Sequence, residues 1–131
     1  MKPIPESHAD ILDKRAFAHL STLMSDGSPQ TSAVWVDTEE GAIVINSAEG
    51  RLKDRNIRRD PRVAVSVTDP ENPYRSLMIR GRVTKITNEG ADQHIDQMAK
   101  KYMDVDAYPF RTPDEVRVKY YIEPDRVSAM G

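Results

Sequence analysis

The 131 residues include no cysteine, so a fold held by disulfides or by a thiolate-bound metal is excluded. Histidine is also sparse. The three present are scattered, with no HExxH or comparable spacing, and no metal centre is expected. Long apolar runs are missing too, none approaching the roughly 20 residues that span a bilayer. The opening Met1-Lys2-Pro3-Ile4-Pro5-Glu6 lacks the apolar centre of a signal peptide, so the expected location is cytoplasmic, away from membranes. Aromatic residues make up 6% of the chain and the net charge is −2, whereas nucleic-acid binders usually present a broad basic face. No nucleic-acid partner is expected. What remains is a globular composition, 38% hydrophobic and 31% charged, of a size that fits one domain over residues 1–131.

One stretch departs from this balance. Residues 51–62, Arg51-Leu52-Lys53-Asp54-Arg55-Asn56-Ile57-Arg58-Arg59-Asp60-Pro61-Arg62, hold six of the 19 Lys and Arg but two of the 21 Asp and Glu. The other residues thus carry 13 cations against 19 acids, and the concentration points to a local anion site. A β-rich run, Ala42–Asn46, and a polar turn, Ser47-Ala48-Glu49-Gly50, precede it; Val63–Thr68 follows as another β-rich run. Between them lies a short helix that Pro61 ends. Its first turn carries free N–H groups and the positive end of the macrodipole, beside Arg51 and Lys53, with Asn56 one turn on. Two readings stay open: three donors for a phosphate, or a solvated helix with an Asp54/Arg58 pair and Leu52 and Ile57 buried.

Around this stretch the pattern is mainly β. Ser7–Asp10 has the form of a capping box and predicts a first helix over residues 8–15. Phe17–Met24, an Asp26-Gly27 turn, Gln30–Val36, an acidic turn over 37–41 and Ala42–Asn46 read as an antiparallel meander. His19 is read as a wall residue of that meander. Period-2 logic puts Trp35, the only tryptophan, on one face with Thr31 and Ala33, and Gln30, Ser32, Val34 and Val36 on the other. Asp69–Pro73 is expected as a loop. Gly81, within a long strand over 74–86, signals a bulge or a close backbone approach. Asn88 is expected to cap a helix through Met103 with Ala91, Ile95, Met98 and Tyr102 toward the core. Residues 104–114 read as loop, and a closing strand runs from Glu115. The sum is a six-stranded antiparallel barrel with flanking helices.

This order, with the motif SAEGRLKDRNIRRDPRV between two strands, resembles the split β-barrel flavin and deazaflavin oxidoreductases, the pyridoxamine 5'-phosphate oxidase-like superfamily. It is most similar to the B-type branch that uses 8-hydroxy-5-deazaflavin coenzyme (F-420). Asp26-Gly27-Ser28-Pro29-Gln30 and Ile79-Arg80-Gly81-Arg82-Val83 add to the likeness. The resemblance implies a homodimer with two cofactor sites at the interface. Arg51, Lys53 and Asn56 would hold the coenzyme phosphate, and Asn46, Ser47 and Ala48 would flank the ribityl chain. The strand from Gln30 through Ser32 to Trp35 would line the ring, with backbone groups of Ala33 and Val34 at its polar edge and Trp35 at the substrate opening. Tyr74 would stack on the ring from the partner chain. Pyridoxamine oxidases carry basic residues where this chain has Gln30 and Trp35, so deazaflavin is expected ahead of FMN. The implied reaction is hydride transfer to an electron-poor small molecule, a conjugated alkene or quinone-like compound; a non-catalytic carrier of the coenzyme is the alternative. No side chain is marked as the proton donor.

Overall fold

The computed structural model describes all 131 residues. Its strands are β1 (Ala18–Leu23), β2 (Pro29–Val34), β3 (Asp37–Glu39), β4 (Ala42–Ala48), β5 (Arg62–Asp69), β6 (Asn72–Thr87) and β7 (Arg117–Met130). They form one antiparallel sheet in the order β2-β1-β5-β6-β7-β4-β3, so the sheet has two free edges and is not closed. The strand count is seven, one more than the pattern predicted. The acidic stretch expected as a turn contains β3, because Glu40 (φ 51°) and Gly41 (φ 84°) fold a two-residue hairpin turn and free Asp37–Glu39 to pair with β4.

The hairpin between β1 and β2 forms as expected. Gly27 takes φ 85° and the Asp26 carboxylate accepts the Ser28 N–H. The continuous meander does not form: β4 pairs with β3 and β7 and lies far along the sheet from β2. Pairing of β2 with β1 ends at Val34, before Trp35. The expected loop at 69–73 is a tight turn, with Asn72 and Pro73 already in β6 and a bulge between Thr68 and Asp69. Gly81 behaves as anticipated. The β6–β7 register shifts there, and a side chain would collide with the Glu123 carbonyl oxygen.

The first helix is a 3-10 turn, Ala9–Asp13, without a side-chain cap; Ser7 Oγ bonds the ring of His8 instead of a backbone N–H. Helix α1 (Leu52–Arg59) connects β4 to β5, and α2 (Ala91–Met103) connects β6 to β7. Gly90, in the left-handed region, starts α2, and the Asn88 amide is spent on Glu49 and the Arg117 carbonyl. Leu20, Val36, Ile43, Ile45, Ile57, Ile79 and Tyr120 belong to one buried core that the curved sheet wraps, and α1 contributes Ile57 to it. Leu52, expected inside, is 38% exposed. Helix α2 covers the opposite face of β4 and β7 with Ala91, Ile95, Met98 and Ala99. No helix is long and apolar enough to cross a membrane.

Candidate cofactor site

Alternation along β4 sends Ile43, Ile45 and Ser47 inward, so Asn46 points the other way, toward α2. The start of β7 lies beside it and places Arg117 next to Asn46, while the first turn of α1 supplies Arg51 and Lys53. These four side chains line one end of a cavity of about 190 Å³. Phe17, Trp35, Tyr108 and Phe110 line it too, with Ala33 and Val34 of the edge strand β2. The cavity therefore combines a cluster of cations with aromatic rings. Trp35 is fixed there by a parallel stack on Tyr102, centroids 5.1 Å apart, and by an edge contact with Tyr108 at 6.0 Å.

The cationic end is incompletely neutralised. One oxygen of Glu115, Oε1, accepts from Arg117 Nη1 at 2.6 Å and from Arg51 Nη2 at 3.0 Å. Arg117 is only 5% exposed, donates Nε to Asn46 Oδ1 at 2.9 Å, and lies 5.2 Å over the Tyr108 ring. Lys53 is half-buried and pairs with no carboxylate or other acceptor. Burial, then the charges of Arg51 and Arg117, hold its ammonium below the ordinary lysine pKa. A half-buried ammonium repelled by two guanidinium groups is stabilised when an anion arrives, and a phosphate has the charge and acceptor oxygens to bridge all three. The donor set fits a phosphorylated cofactor.

The helix that carries Lys53 is held rigidly. Buried Asp54 accepts from Tyr120 Oη at 2.6 Å, from Gly50 N at 3.0 Å and from Arg58 Nε at 3.0 Å. Burial would raise the Asp54 pKa, but these donors outweigh it and leave the carboxyl lowered. Burial and the Asp54 carboxylate push the Tyr120 hydroxyl well upward. The first turn of α1 is thus tied to β7.

Of the residues singled out in the sequence, Ala33, Val34, Trp35, Asn46, Arg51 and Lys53 meet at this cavity. The others lie elsewhere. Gln30 and Ser32 pair across from buried Thr22 and Leu20 on the interior side of β2, and Ser47 is inside the core side of β4. Ala48 is buried under the α2 side of β4 without lining the cavity. Asn56 is 1% exposed; its amide donates to Thr22 and Met24 and accepts from Arg59, so its hydrogen bonds are already used. Tyr74 is 81% exposed on β6, away from the cavity of its own chain. His19 lies exposed on the outer face of β1, bordering a groove with Thr31.

Arg117, Tyr108, Phe110 and His94 escaped the sequence reading. Arg117 alternates with Val116 and Val118, just as a solvated strand residue would. His94 did leave a signal: it falls three residues after Ala91 and four before Met98, on the buried stripe of α2. A larger groove of about 530 Å³ runs over the outer sheet face between Ser21, Arg62, Arg80 and Arg126. It has no aromatic wall, and Arg62 is already paired with Asp60, so the smaller cavity is the better candidate.

The family model for pyridoxamine 5'-phosphate oxidase matches residues 4–131. The chain belongs to the pyridoxamine 5'-phosphate oxidase family. Among solved structures, an F-420 reductase is 31% identical, with 95% of this chain and 98% of that one covered at a TM-score of 0.83. A conserved hypothetical protein of Mycobacterium tuberculosis is 22% identical over 99% of this chain and 89% of that one, TM-score 0.74. General stress protein 26 of Bacillus anthracis is 18% identical over 95% and 92%, TM-score 0.70. The last two likenesses concern the fold alone. No curated protein matches the sequence significantly.

Proposed function

We propose that this family member is an oxidoreductase that uses reduced 8-hydroxy-5-deazaflavin coenzyme (F-420) to pass a hydride to an electron-poor small molecule, a conjugated alkene or quinone-like acceptor. The observation that carries the reading is Lys53, half-buried and without a counterion, between Arg51 and Arg117 beside an aromatic-lined cavity. When bound, the coenzyme supplies the hydride chemistry. The chain binds, orients and excludes. Arg51, Lys53 and Arg117 hold the phosphate; Asn46 lies at the same end, toward the ribityl chain. The unpaired edge of β2 at Ala33 and Val34 offers backbone groups to the polar edge of the ring. Trp35, Tyr108 and Phe110 keep water from the ring and border the substrate opening.

A homodimer completes the site, with Tyr74 of a second copy stacking on the ring. Exposed Tyr74, Met78 and Met130, all on β6 and β7, favour such a covering copy.

Deazaflavin is placed ahead of FMN because the F-420 reductase is the relative at 31% identity, and because Gln30 and Trp35 stand where basic residues serve the pyridoxamine oxidases. Fluorescence titration with each cofactor separately tests this. Tighter binding of deazaflavin is expected, and a tenfold preference for FMN would overturn the choice (about 1.4 kcal/mol). Turnover of the reduced coenzyme with electron-poor test compounds distinguishes an enzyme from a carrier.

A further inference from the structure

Behind the cavity a chain of hydrogen bonds leads from Arg117 to a second, polar groove. Arg117 Nε donates to Asn46 Oδ1 at 2.9 Å. Asn46 Nδ2 donates to the Ala91 carbonyl at 2.9 Å and lies 3.0 Å from His94 Nδ1. His94 Nε2 lies 2.9 Å from Asp37 Oδ2, and both residues line a polar groove that shares no residue with the cavity. The chemistry of the end groups leaves one consistent proton arrangement. Arg117 Nε can only donate and the Ala91 carbonyl can only accept, so the Asn46 amide cannot be turned over. Its second N–H therefore needs an acceptor, which is His94 Nδ1 without a proton. The ring proton sits on Nε2 and is donated to Asp37.

We propose that His94 is a positioning residue for the phosphate site: through its unprotonated Nδ1 it holds the Asn46 amide, which aims Arg117 at the anion. His94 touches neither the cavity nor, on the reading above, the coenzyme. The role assigned to it rests on that reading. Each link in the chain is buried or half-buried, so a lost acceptor is not replaced cheaply by water. With Nδ1 removed, one Asn46 N–H is left unpaired, and the amide gains by rotating toward other partners and releasing Arg117. Arg117 then turns wholly to Glu115 and Tyr108, and the guanidinium is no longer aimed by a fixed acceptor. The Asn46 amide thus needs an acceptor on the buried stripe of α2, and His94 supplies it there.

Two substitutions divide the functions of the ring. His94→Asn sets an amide oxygen near the place of Nδ1 and keeps the acceptor for Asn46. His94→Gln reaches Asp37 from the place of Nε2 but does not keep that acceptor. Coenzyme binding is expected to weaken about tenfold in His94→Gln and to stay within about threefold of wild type in His94→Asn. Nitrogen-resolved NMR of the unmodified, cofactor-free protein provides a second readout. The His94 ring should show a proton on Nε2 and a bare Nδ1, with the Arg117 Nε–H protected from exchange. A proton on Nδ1 would overturn the proposal, as would equal loss in both variants or no loss in His94→Gln. If Lys53→Ala binds the coenzyme as wild type does, the phosphate site itself is wrong and the proposal falls with it. If Lys53→Ala binds weakly and His94→Gln binds normally, the site stands and the positioning role alone is overturned.

Discussion

Two ionic clusters of this protein are built from the same residue types and differ in how they close. At the β5–β6 turn, Lys14 and Arg75 meet Asp10, Asp69 and Glu71, and every member has an opposite charge within ion-pair distance. At the head of α1, Arg51 and Arg117 share a single carboxylate, Glu115, and Lys53 beside them has none. The two lysines record the difference. The hydrogen bond from Lys14 to Asp69 raises its pKa, whereas burial and neighbouring guanidinium groups lower that of Lys53. The Asp10 carboxyl, bonded by Arg75, is held at about 2. A closed cluster ties the 3-10 turn to the sheet and asks nothing of solution. An open one carries an unfavourable charge excess through folding, and an incoming anion relieves it.

The largest break in this contrast comes from Arg117→Ala, which removes the one cation that serves both the cluster and the chain to Asn46. It should cost about 3 kcal/mol of stability by leaving Glu115 and Asn46 without their buried partner. It should also weaken coenzyme binding roughly a hundredfold. Denaturant unfolding and fluorescence titration measure the two effects.

Next in size is a paired experiment. Lys53→Ala should weaken binding about tenfold (about 1.4 kcal/mol) with no fall in melting temperature, since the open cluster gains nothing from this charge in the free protein. Asp69→Asn should do the reverse, lowering the melting temperature by several degrees while the dissociation constant stays put. If both variants moved the same observable, the distinction between closed and open clusters would fail.

The smallest effect is the pH dependence of binding. The depressed Lys53 pKa means that its charge opposes folding at neutral pH and that the opposition fades as pH rises through the folded value. An anion prefers the charged form, so coenzyme affinity should hold at neutral pH and fall on the alkaline side before the ordinary lysine value of 10.5 is reached. Lys53→Arg should keep its affinity over the same range, because a guanidinium does not lose its proton there. A decline in the arginine variant at the same pH would assign the titration to another group.

Local chemistry written in consecutive residues was legible from the sequence. The Asp26-Gly27 turn, the Pro61 stop and the bulge at Gly81 are each dictated by one backbone requirement, and each appears where the pattern put it. Pairing between distant strands was not legible: β4 has the same apolar character whether it follows β2 in a meander or lies between β7 and β3. The same limit governed the site. Arg51 and Lys53 could be picked out because their neighbours in sequence are cations too, while Arg117 comes 64 residues after Lys53 and joins them only through the β4–β7 pairing. Asn56 shows the converse error. Its spacing on α1 suggested a third phosphate donor, but the side chain is drawn into the core by Thr22 on a strand that spacing along the helix says nothing about.

The central claim is that the open cluster holds the phosphate of a redox cofactor, and a crystal structure with deazaflavin coenzyme bound tests it most directly. The account predicts the phosphoryl oxygens within hydrogen-bond distance of Lys53 and at least one of Arg51 and Arg117. A phosphoryl group seated elsewhere, with Lys53 still unpaired, would contradict it.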